Sequence, residues 1–311
     1  MIHSTTNFSK IFTTNQLALL DMAFIKRMRR RPDVSRRFFK YAKMDKEFMR
    51  FFVPTGVGLP ERLDTELSAV NTDSMLQGPH VDVTTTDYGI AVEFTHKFRR
   101  EDKRNLMEDI IADMGDSVNY HRRLMPSEML SRAFDSTKTI RDGKSLCATD
   151  HSLYGGKVLG SQTASNRMSA SALTQSAIEL MITQGIGVVN EMGFLKQVDY
   201  KTLPLDRASW ARGFEILKSP TRSDTASRAI NVLQYAEGGL PTPVLYDMLD
   251  LNVGFFLMSD AADSKSCVWD REGPYRSSWM DHARRIQTIA LFYSRAIDSV
   301  DWRHIIGTPF N

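Results

Sequence analysis

A thiol, a carboxylate and an imidazole lie within five positions of one another at Cys147, Asp150 and His151, in the stretch SLCATDHSLYGG that begins at Ser145. A cysteine nucleophile needs a base whose ring nitrogen reaches the sulfur, so Cys147 and His151 define one hypothesis, a cysteine hydrolase. The usual arrangement, however, takes the two partners from distant parts of the chain. In a loop or strand, which this composition indicates, residues four apart point away from each other unless a turn intervenes.

The alternative for this stretch is a structural turn. We expect Asp150 and Ser152 to bond local backbone groups, His151 to be exposed, and the Gly-Gly pair at 155–156 to supply positive φ. Cys147 is then expected to be packed and chemically quiet, because a thiol without a nearby base or cation is not activated.

Other stretches that resemble motifs for catalysis or cofactor binding lack the residues that each motif requires at fixed positions. The stretch YGGKVLGSQT has Val158 where a phosphate loop needs a hydroxyl, and GIGVVNEMG from Gly185 has its next glycine too late for a dinucleotide fingerprint. No GxSxG elbow occurs, the seven histidines form no HxxxH or HxH pair, and the two cysteines lie 120 positions apart. We therefore predict no catalytic, cofactor-binding or metal-binding residue, no cofactor, and no enzymatic activity.

The composition indicates a globular protein of one large domain or two ordinary ones. Of its 311 residues, 42% are hydrophobic and 25% are charged. Two cysteines without a CxxC pair fit a reducing site of synthesis. The apolar stretch 17–25 precedes its positive charges, which is the wrong order for a secretory signal, and the longest apolar runs are far too short to span a membrane.

Positive charge is concentrated at the N-terminus. Residues 1–50 hold 12 Lys or Arg against 4 Asp or Glu, whereas residues 51–311 hold 28 against 33. The densest part, KRMRRRPDVSRRFFKYAK from Lys26, mixes cations with Phe38, Phe39 and Tyr41, which suits contact with phosphates or with an acidic protein face. A nucleic-acid-binding module at residues 26–50 is therefore a second hypothesis, and a solvated, partly helical arm is its alternative.

The first break in the chain is the proline- and glycine-containing stretch 51–60, which predicts a boundary near residue 55. Beyond it, apolar and polar residues alternate in two runs that flank the turn-like Asp87-Tyr88-Gly89. This alternation predicts an extended β-hairpin with half-exposed arms. The alternating positions are Val81, Val83, Thr85, Ile90, Val92 and Phe94.

Helical spacing then replaces the alternation. From about Asp102 the apolar residues recur every three or four positions, and Lys and Arg crowd the opposite side, which predicts a long amphipathic helix. Pro126 lacks the backbone donor of a helical residue, so we expect a kink there, with Ser127 capping a continuation to Phe134. The apolar positions are Leu106, Ile110, Met114 and Val118.

Two shorter helices are expected further along. The first begins at a serine cap, Ser169 or Ser171, and ends near Gly185. The second begins at Asp206, directly after the strand-like residues 202–205. The apolar faces are formed by Leu173, Ala177, Leu180 and Met181 in the first and by Trp210, Phe214 and Leu217 in the second.

The last part of the chain is rich in strand-forming residues. NVGFFLMSD from Asn252 predicts a buried strand, and residues 285–294 and 299–306 predict β-rich segments. Helices and strands are thus mixed without strict alternation. This pattern favours an α+β architecture over a doubly wound parallel sheet.

Taken in order, several of these segments resemble the major capsid proteins of tailed double-stranded-DNA bacteriophages. RDGKSLCATDHSLYGG followed by SNRMSASALTQSAIELM is similar to the segment after the family's long helix, where a Ser-Asn pair leads into a helix opened by Ser. YGIAVEFTHKFRREDKRNLMEDII resembles the passage from the extended loop into the spine helix, and KTLPLDRASWARGFEIL a strand and helix of the axial domain. NVGFFLMSD resembles a late strand and DSVDWRHIIGT a typical ending. The resemblance spans residues 85–311.

This resemblance implies the α+β Hong-Kong-type phage capsid fold. Its expected parts are a basic N-terminal arm at 1–54, an extended β-hairpin loop at 55–98, a peripheral domain with a long spine helix at 99–138 and 263–311, and an axial domain at 139–262. A half-exposed hairpin and a charged arm cannot bury their own faces, which independently favours contact with a neighbouring subunit.

The function implied is structural. The resemblance predicts a subunit that assembles through hexamers and pentamers into an icosahedral or prolate head around double-stranded DNA, within a virion built in the host cytoplasm. The expected partners are other copies of the chain, packaged DNA held by non-specific contacts, a portal, a cement or decoration protein, and no membrane. An encapsulin-like nanocompartment shell is the alternative within the same fold. A scaffolding segment of relatives is longer than the stretch of about 50 residues before the loop, so a separate scaffolding protein is expected.

The sequence also predicts that the shell is not chemically crosslinked. Some relatives form a lysine to asparagine isopeptide bond from a lysine in the extended loop, and this chain has no lysine between Lys46 and Lys97. Denaturing electrophoresis of intact particles is therefore expected to show one band near 35.3 kDa. A ladder of covalent multimers would contradict this expectation.

Overall fold

The computed structural model describes residues 22, 32–54, 77–101, 106–153, 163–169, 172–221, 230, 231, 233, 241–251 and 253–310. Most of the basic arm, the predicted boundary near residue 55, the Gly-Gly pair at 155–156 and the alternative cap Ser171 lie outside these residues. The described chain forms two compact units. One holds the described residues of Thr86–Arg123 and Glu272–Arg295, and the other those of Val34–Thr85, Leu124–Arg271 and Ala296–Asn311.

The first unit packs a helix on an antiparallel strand pair. Strand β4 (Thr86–Thr95) pairs with β11 (Ile286–Ser299), in register from Thr86 opposite Arg295 to Thr95 opposite Ile286. The short helix α1 (His96–Glu101) follows β4, and the long helix α2 begins at Leu106. The buried side of α2 faces the two strands through Met107, Ile111, Met114 and Val118, which pack on Phe94, Ile289, Leu291 and Tyr293. The predicted apolar side is thereby confirmed at Met114 and Val118, whereas Leu106, also predicted on that side, is exposed.

Helix α2 (Leu106–Ser131) continues through Pro126, contrary to the expected restart. Ser127 does not cap a new helix, because its hydroxyl donates to the Leu124 carbonyl oxygen at 2.7 Å, and the helix ends at Ser131 rather than Phe134. A proline at 126 removes the N–H that would bond the Arg122 carbonyl. That carbonyl instead accepts from Nη1 of the buried Arg295 at 2.8 Å, so its hydrogen bond is replaced from a strand.

The second unit contains a mixed sheet in the order β12-β9-β7-β8. Its strands are β7 (Tyr200–Leu205), β8 (Thr242–Leu245), β9 (Gly254–Ser259) and β12 (Ile305–Pro309). Every residue of β9 is buried, as the apolar run predicted, and β7 pairs parallel with β8 and antiparallel with β9. Instead of an extended segment at 299–306, the chain makes a 3-10 turn, Trp302–His304, before β12.

Two helices of this unit share one apolar cluster with the sheet. Helix α3 (Gln175–Ile186) is capped by Thr174, whose hydroxyl accepts from the Ala177 N–H at 3.2 Å, and not by a serine at 169 or 171. Helix α4 (Trp210–Lys218) buries Gly213, Ile216 and Leu217. Three predicted inward residues are instead exposed. These are Leu180, Trp210 and Phe214.

Part of the predicted N-terminal arm belongs to the core of the second unit. After a 3-10 turn, Val34–Arg37, Phe38 and Phe39 are fully buried and pack with Tyr246 and other apolar residues. The sequence suggested that these two rings take part in phosphate contact. Their burial excludes that role. Strand β1 (Lys40–Lys43) then pairs parallel with the start of β10 (Ser266–Asp281).

The predicted hairpin has different partners from those expected. Strand β3 (Gln77–Thr84) pairs antiparallel with β2 (Phe48–Pro54), while Asp87, Tyr88 and Gly89 form no turn because they belong to β4. The β2–β3 ribbon buries one face against the β10 end of the core, including Val81 and Val83 as predicted. Its other face exposes aromatic side chains. No helix in the described part of the chain is long and apolar enough to cross a membrane.

The replacement bond at the Arg122 carbonyl predicts an energetic coupling between positions 126 and 295. Arg295→Met is expected to lower the free energy of unfolding by about 1–3 kcal/mol, since it leaves a carbonyl without a donor. In a Pro126→Ala background the helix regains its own N–H, so the same substitution is expected to cost about 1 kcal/mol less. Urea unfolding of the four variants measures this cycle. Strictly additive effects would contradict the proposed replacement.

Candidate functional site

Cys147 lies in a closed apolar environment. It is fully buried, and a Cβ on Gly307 would lie 2.7 Å from its sulfur and 3.0 Å from the Phe134 ring, so only glycine fits at 307. Burial raises the pKa of the Cys147 thiol far above its ordinary value. The predicted packing of Cys147 is confirmed, and its chemical inertness remains a prediction.

His151 is buried, contrary to the expected exposed turn. Its Nδ1 lies 2.6 Å from Asp142 Oδ2 and its Nε2 lies 2.9 Å from Asn166 Oδ1. Its ring stacks on Trp302, with centroids 4.5 Å apart and planes 4° from parallel. Both ring nitrogens are thus directed at the side-chain oxygens of Asp142 and Asn166, and neither faces a hydroxyl group or the Cys147 sulfur. His151 is therefore not placed to accept the Cys147 proton.

The Asn166 amide has a defined orientation. Its Nδ2 group lies within 2.9–3.2 Å of three backbone carbonyl oxygens, those of Leu146, Trp302 and Ile305. Its Oδ1 accepts from the Ala148 N–H at 2.9 Å. Since the nitrogen must face the carbonyls, Oδ1 faces His151 and requires a donor there.

The geometry therefore gives each ring nitrogen of His151 an oxygen partner. Nε2 donates to Asn166 and Nδ1 donates to the carboxylate of Asp142, whose side chain is 1% exposed. Burial alone would raise the pKa of Asp142, but the hydrogen bond and the charge of His151 hold that pKa below its usual value. The result is a buried ion pair joined to a satisfied amide.

The neighbours of His151 are also arranged differently from a loop. His151 and Ser152 form the short strand β5, which pairs with β6 (Thr163–Ala164). The exposed carboxylate of Asp150 is hydrogen bonded to the Lys144 ammonium. Asp150 therefore belongs to a surface ion pair. The three residues that first suggested catalysis, Cys147, Asp150 and His151, lie in three different environments.

A second buried charge cluster lies in the same unit. Asp301 Oδ1 accepts from Arg303 Nη1 at 3.0 Å, and Arg303 Nη1 also donates to Glu191 Oε1 at 2.8 Å. Arg141 pairs with the same two carboxylates, and Lys196 Nζ is 3.4 Å from Asp301 Oδ2. Burial would raise the pKa of Asp301, but these cations lower it to about 2.

Trp302 connects the two charge groups. Besides the stacked His151 ring, the guanidinium of Arg303 lies 4.5 Å from the centroid of its indole. An aromatic face attracts such cations, more strongly when water is excluded. Sequence reasoning did not select Asp142, Asn166, Arg303 or Trp302. The available signals were the RDG, Ser-Asn and DWRH motifs, which had been used only as family markers.

The arrangement therefore carries charge and hydrogen bonds without an activated nucleophile. The described residues contain no group of three His, Cys, Asp or Glu side chains that would hold a metal ion. What these residues do chemically is to satisfy buried polar groups at the junction of residues 142–151, 166 and 302–305. The site stabilises the second unit.

The buried pair predicts a large and pH-dependent stability effect. Asp142→Asn removes the buried carboxylate that accepts from His151 Nδ1 and is expected to cost about 3–5 kcal/mol in the free energy of unfolding. Asp150→Asn, which breaks the exposed pair with Lys144, is expected to cost at most about 1 kcal/mol and serves as the matched control. Urea unfolding of the full chain at neutral pH measures both.

The same pair sets a direction for the pH dependence. Because the pKa of Asp142 is lower in the folded chain than in the unfolded chain, its stabilisation is present above the unfolded pKa of about 3.9 and is lost as pH falls further. The difference between wild type and Asp142→Asn is thus expected to shrink below about pH 4. Equal costs for the two asparagine variants at neutral pH would refute the buried ion pair.

Comparison with known proteins adds an independent view of the fold. No protein-family model matches the sequence, and no curated protein is significantly similar to it. Solved structures do match. The capsid of a native GTA particle is 10% identical with a TM-score of 0.56, and the alignment covers 90% of this chain and 91% of that one.

Two phage capsid structures are similar to a comparable extent. The capsid of cyanophage P-SCSP1u is 8% identical with a TM-score of 0.56, covering 87% of this chain and 86% of the other. The capsid of Ralstonia phage GP4 is 13% identical with a TM-score of 0.51, covering 90% and 91%. The chain therefore has the α+β Hong-Kong-type fold of phage capsid subunits.

Proposed function

We propose that this chain is the major capsid subunit of a tailed phage, which assembles through hexamers and pentamers into a closed head around double-stranded DNA. The observation that carries the proposal is the extent of the structural likeness, which covers 86–91% of both chains in comparisons with three capsids. A likeness over nearly the whole of both chains relates complete folds and not a shared module. The predicted arm, loop, peripheral and axial domains at 1–54, 55–98, 99–138 with 263–311, and 139–262 belong to this proposal.

Exposed aromatic side chains support a role in assembly. On helix α4 of the second unit, the rings of Trp210 and Phe214 lie 5.7 Å apart and both are exposed. On the outer face of the β2–β3 ribbon, Phe48 and Phe52 are 50% and 45% exposed. Large apolar groups that stay in water are typical of surfaces that become buried against another chain.

The remaining partners follow from charge and from the capsid role. Because Phe38 and Phe39 are buried, the proposed phosphate contact of residues 1–50 falls to the cations of this segment, and cations bind phosphates without sequence preference. We infer a non-specific contact with packaged DNA, a separate scaffolding protein, a portal and a cement or decoration protein. Assembly takes place in the host cytoplasm and the product is the virion. The role is structural and not enzymatic, which is consistent with the unactivated Cys147 thiol.

Expression of the full chain tests the assembly directly. Sedimentation and electron microscopy are expected to show capsomers or closed particles. The double variant Trp210→Ser with Phe214→Ser is expected to shift material to slower-sedimenting species while its circular dichroism and thermal midpoint stay close to wild type, since both side chains are exposed.

A matched control lies on the same helix. Arg212 and Glu215 form an exposed ion pair, with Arg212 Nη1 3.0 Å from Glu215 Oε2, and replacing both by serine is expected to leave assembly unchanged. A wild-type chain that stays monomeric at high concentration, alone or with its scaffolding protein, would refute the proposed function. Equal behaviour of the two double variants would refute only the role of the aromatic pair.

A further inference from the structure

The second unit contains an open cavity of about 560 Å³ next to the buried charge cluster. Phe51 and Trp269 line one side, with their rings stacked and centroids 5.2 Å apart. Arg303 also contributes to the lining. Ligand sites in proteins commonly have this volume and this combination of apolar walls with a few polar groups.

The cavity lining is electropositive. Among the described residues the lining contains four cations, Lys40, Lys196, Lys265 and Arg303, and two carboxylates. The two carboxylates are those of Glu191 and Asp301, which are already paired with arginines. An anion that enters the cavity therefore meets uncompensated positive charge.

One of these cations has a free donor. The Arg303 side chain is 2% exposed, and its Nη1 and Nε atoms donate to carboxylate and carbonyl oxygens. Its Nη2 atom has no hydrogen-bond partner among the described residues. The Nη2 atom is itself buried, so the charge of Arg303 acts on the cavity through space and not through an exposed donor.

We propose that this cavity binds a carboxylate carried on an apolar body. The carboxylate fits the positive charge of the three lysines and of Arg303 behind them. The apolar body fits against the faces of Phe51 and Trp269. A free aromatic acid and the acidic, aromatic part of a peptide share this chemistry, and the test separates them.

Binding is measured on the full-length protein by isothermal titration with phenylacetate, with its neutral analogue phenylacetamide, and with the peptide acetyl-Phe-Glu-amide. Saturable binding is expected for at least one of the two anions, weaker at high salt, and at least tenfold weaker for phenylacetamide. Binding of phenylacetate identifies a small acid as a sufficient ligand, and binding of the peptide alone identifies a protein segment.

Lysine variants test the charge of the lining, with circular dichroism as the check that the fold is kept, since Lys265 is exposed but Lys196 also pairs with Asp301. Lys265→Gln combined with Lys196→Gln is expected to weaken the anion about tenfold or more, whereas Lys201→Gln, on strand β7 and outside the lining, is expected to leave it unchanged. Cys267 lines the cavity and gives a second readout, because a bound anion is expected to slow its alkylation by iodoacetamide at alkaline pH.

Three results would overturn the proposal. These are the absence of saturable binding for both anions, equal binding of phenylacetamide, and an equal loss in the Lys201→Gln control. The measurement does not require assembled particles. A failure here therefore leaves the capsid role untouched, and a failure to assemble leaves the cavity testable.

Discussion

The second unit depends on one buried amide. Asn166 joins the carbonyls of Leu146, Trp302 and Ile305 through its nitrogen and binds His151 through its oxygen, so a single side chain links three parts of the chain. Each of these groups would be costly to bury alone. Once the amide is in place, its oxygen faces Nε2 of His151, while Asp142 bonds Nδ1 and Trp302 stacks on the ring. The hydrogen bonding of buried polar groups thus explains the position of His151, which first suggested catalysis.

Local patterns in the sequence predicted where helices and strands form better than they predicted which distant residues these segments contact. The spacing of Ile110, Met114 and Val118 along α2 predicts a buried helical side, because amphipathicity is a property of one segment. Alternation at residues 81–94 correctly predicts extended backbone, yet it contains no information on which strand lies opposite, so the predicted hairpin was wrong. The effect of Pro126 was misjudged for the same reason, since its compensating donor comes from a residue 169 positions away.

In the candidate site, too, local features were predictable from the sequence and long-range contacts were not. Burial of Cys147 followed from its type and surroundings, and the structure confirms it. The burial of His151 did not follow, because its three partners come from positions 142, 166 and 302, and a polar residue is inside only when such partners exist. The second charge cluster and the cavity beside it were equally invisible, since they assemble residues from 40 to 303.

The contacts of Asn166 also set a temporal order for folding. Its amide, its backbone carbonyl and the neighbouring Met168 N–H all bond to residues 302–307, well over a hundred positions later in the chain. During vectorial synthesis these acceptors and donors leave the ribosome long after residue 166 does. The second unit therefore cannot reach its native core cotranslationally until that late segment has emerged.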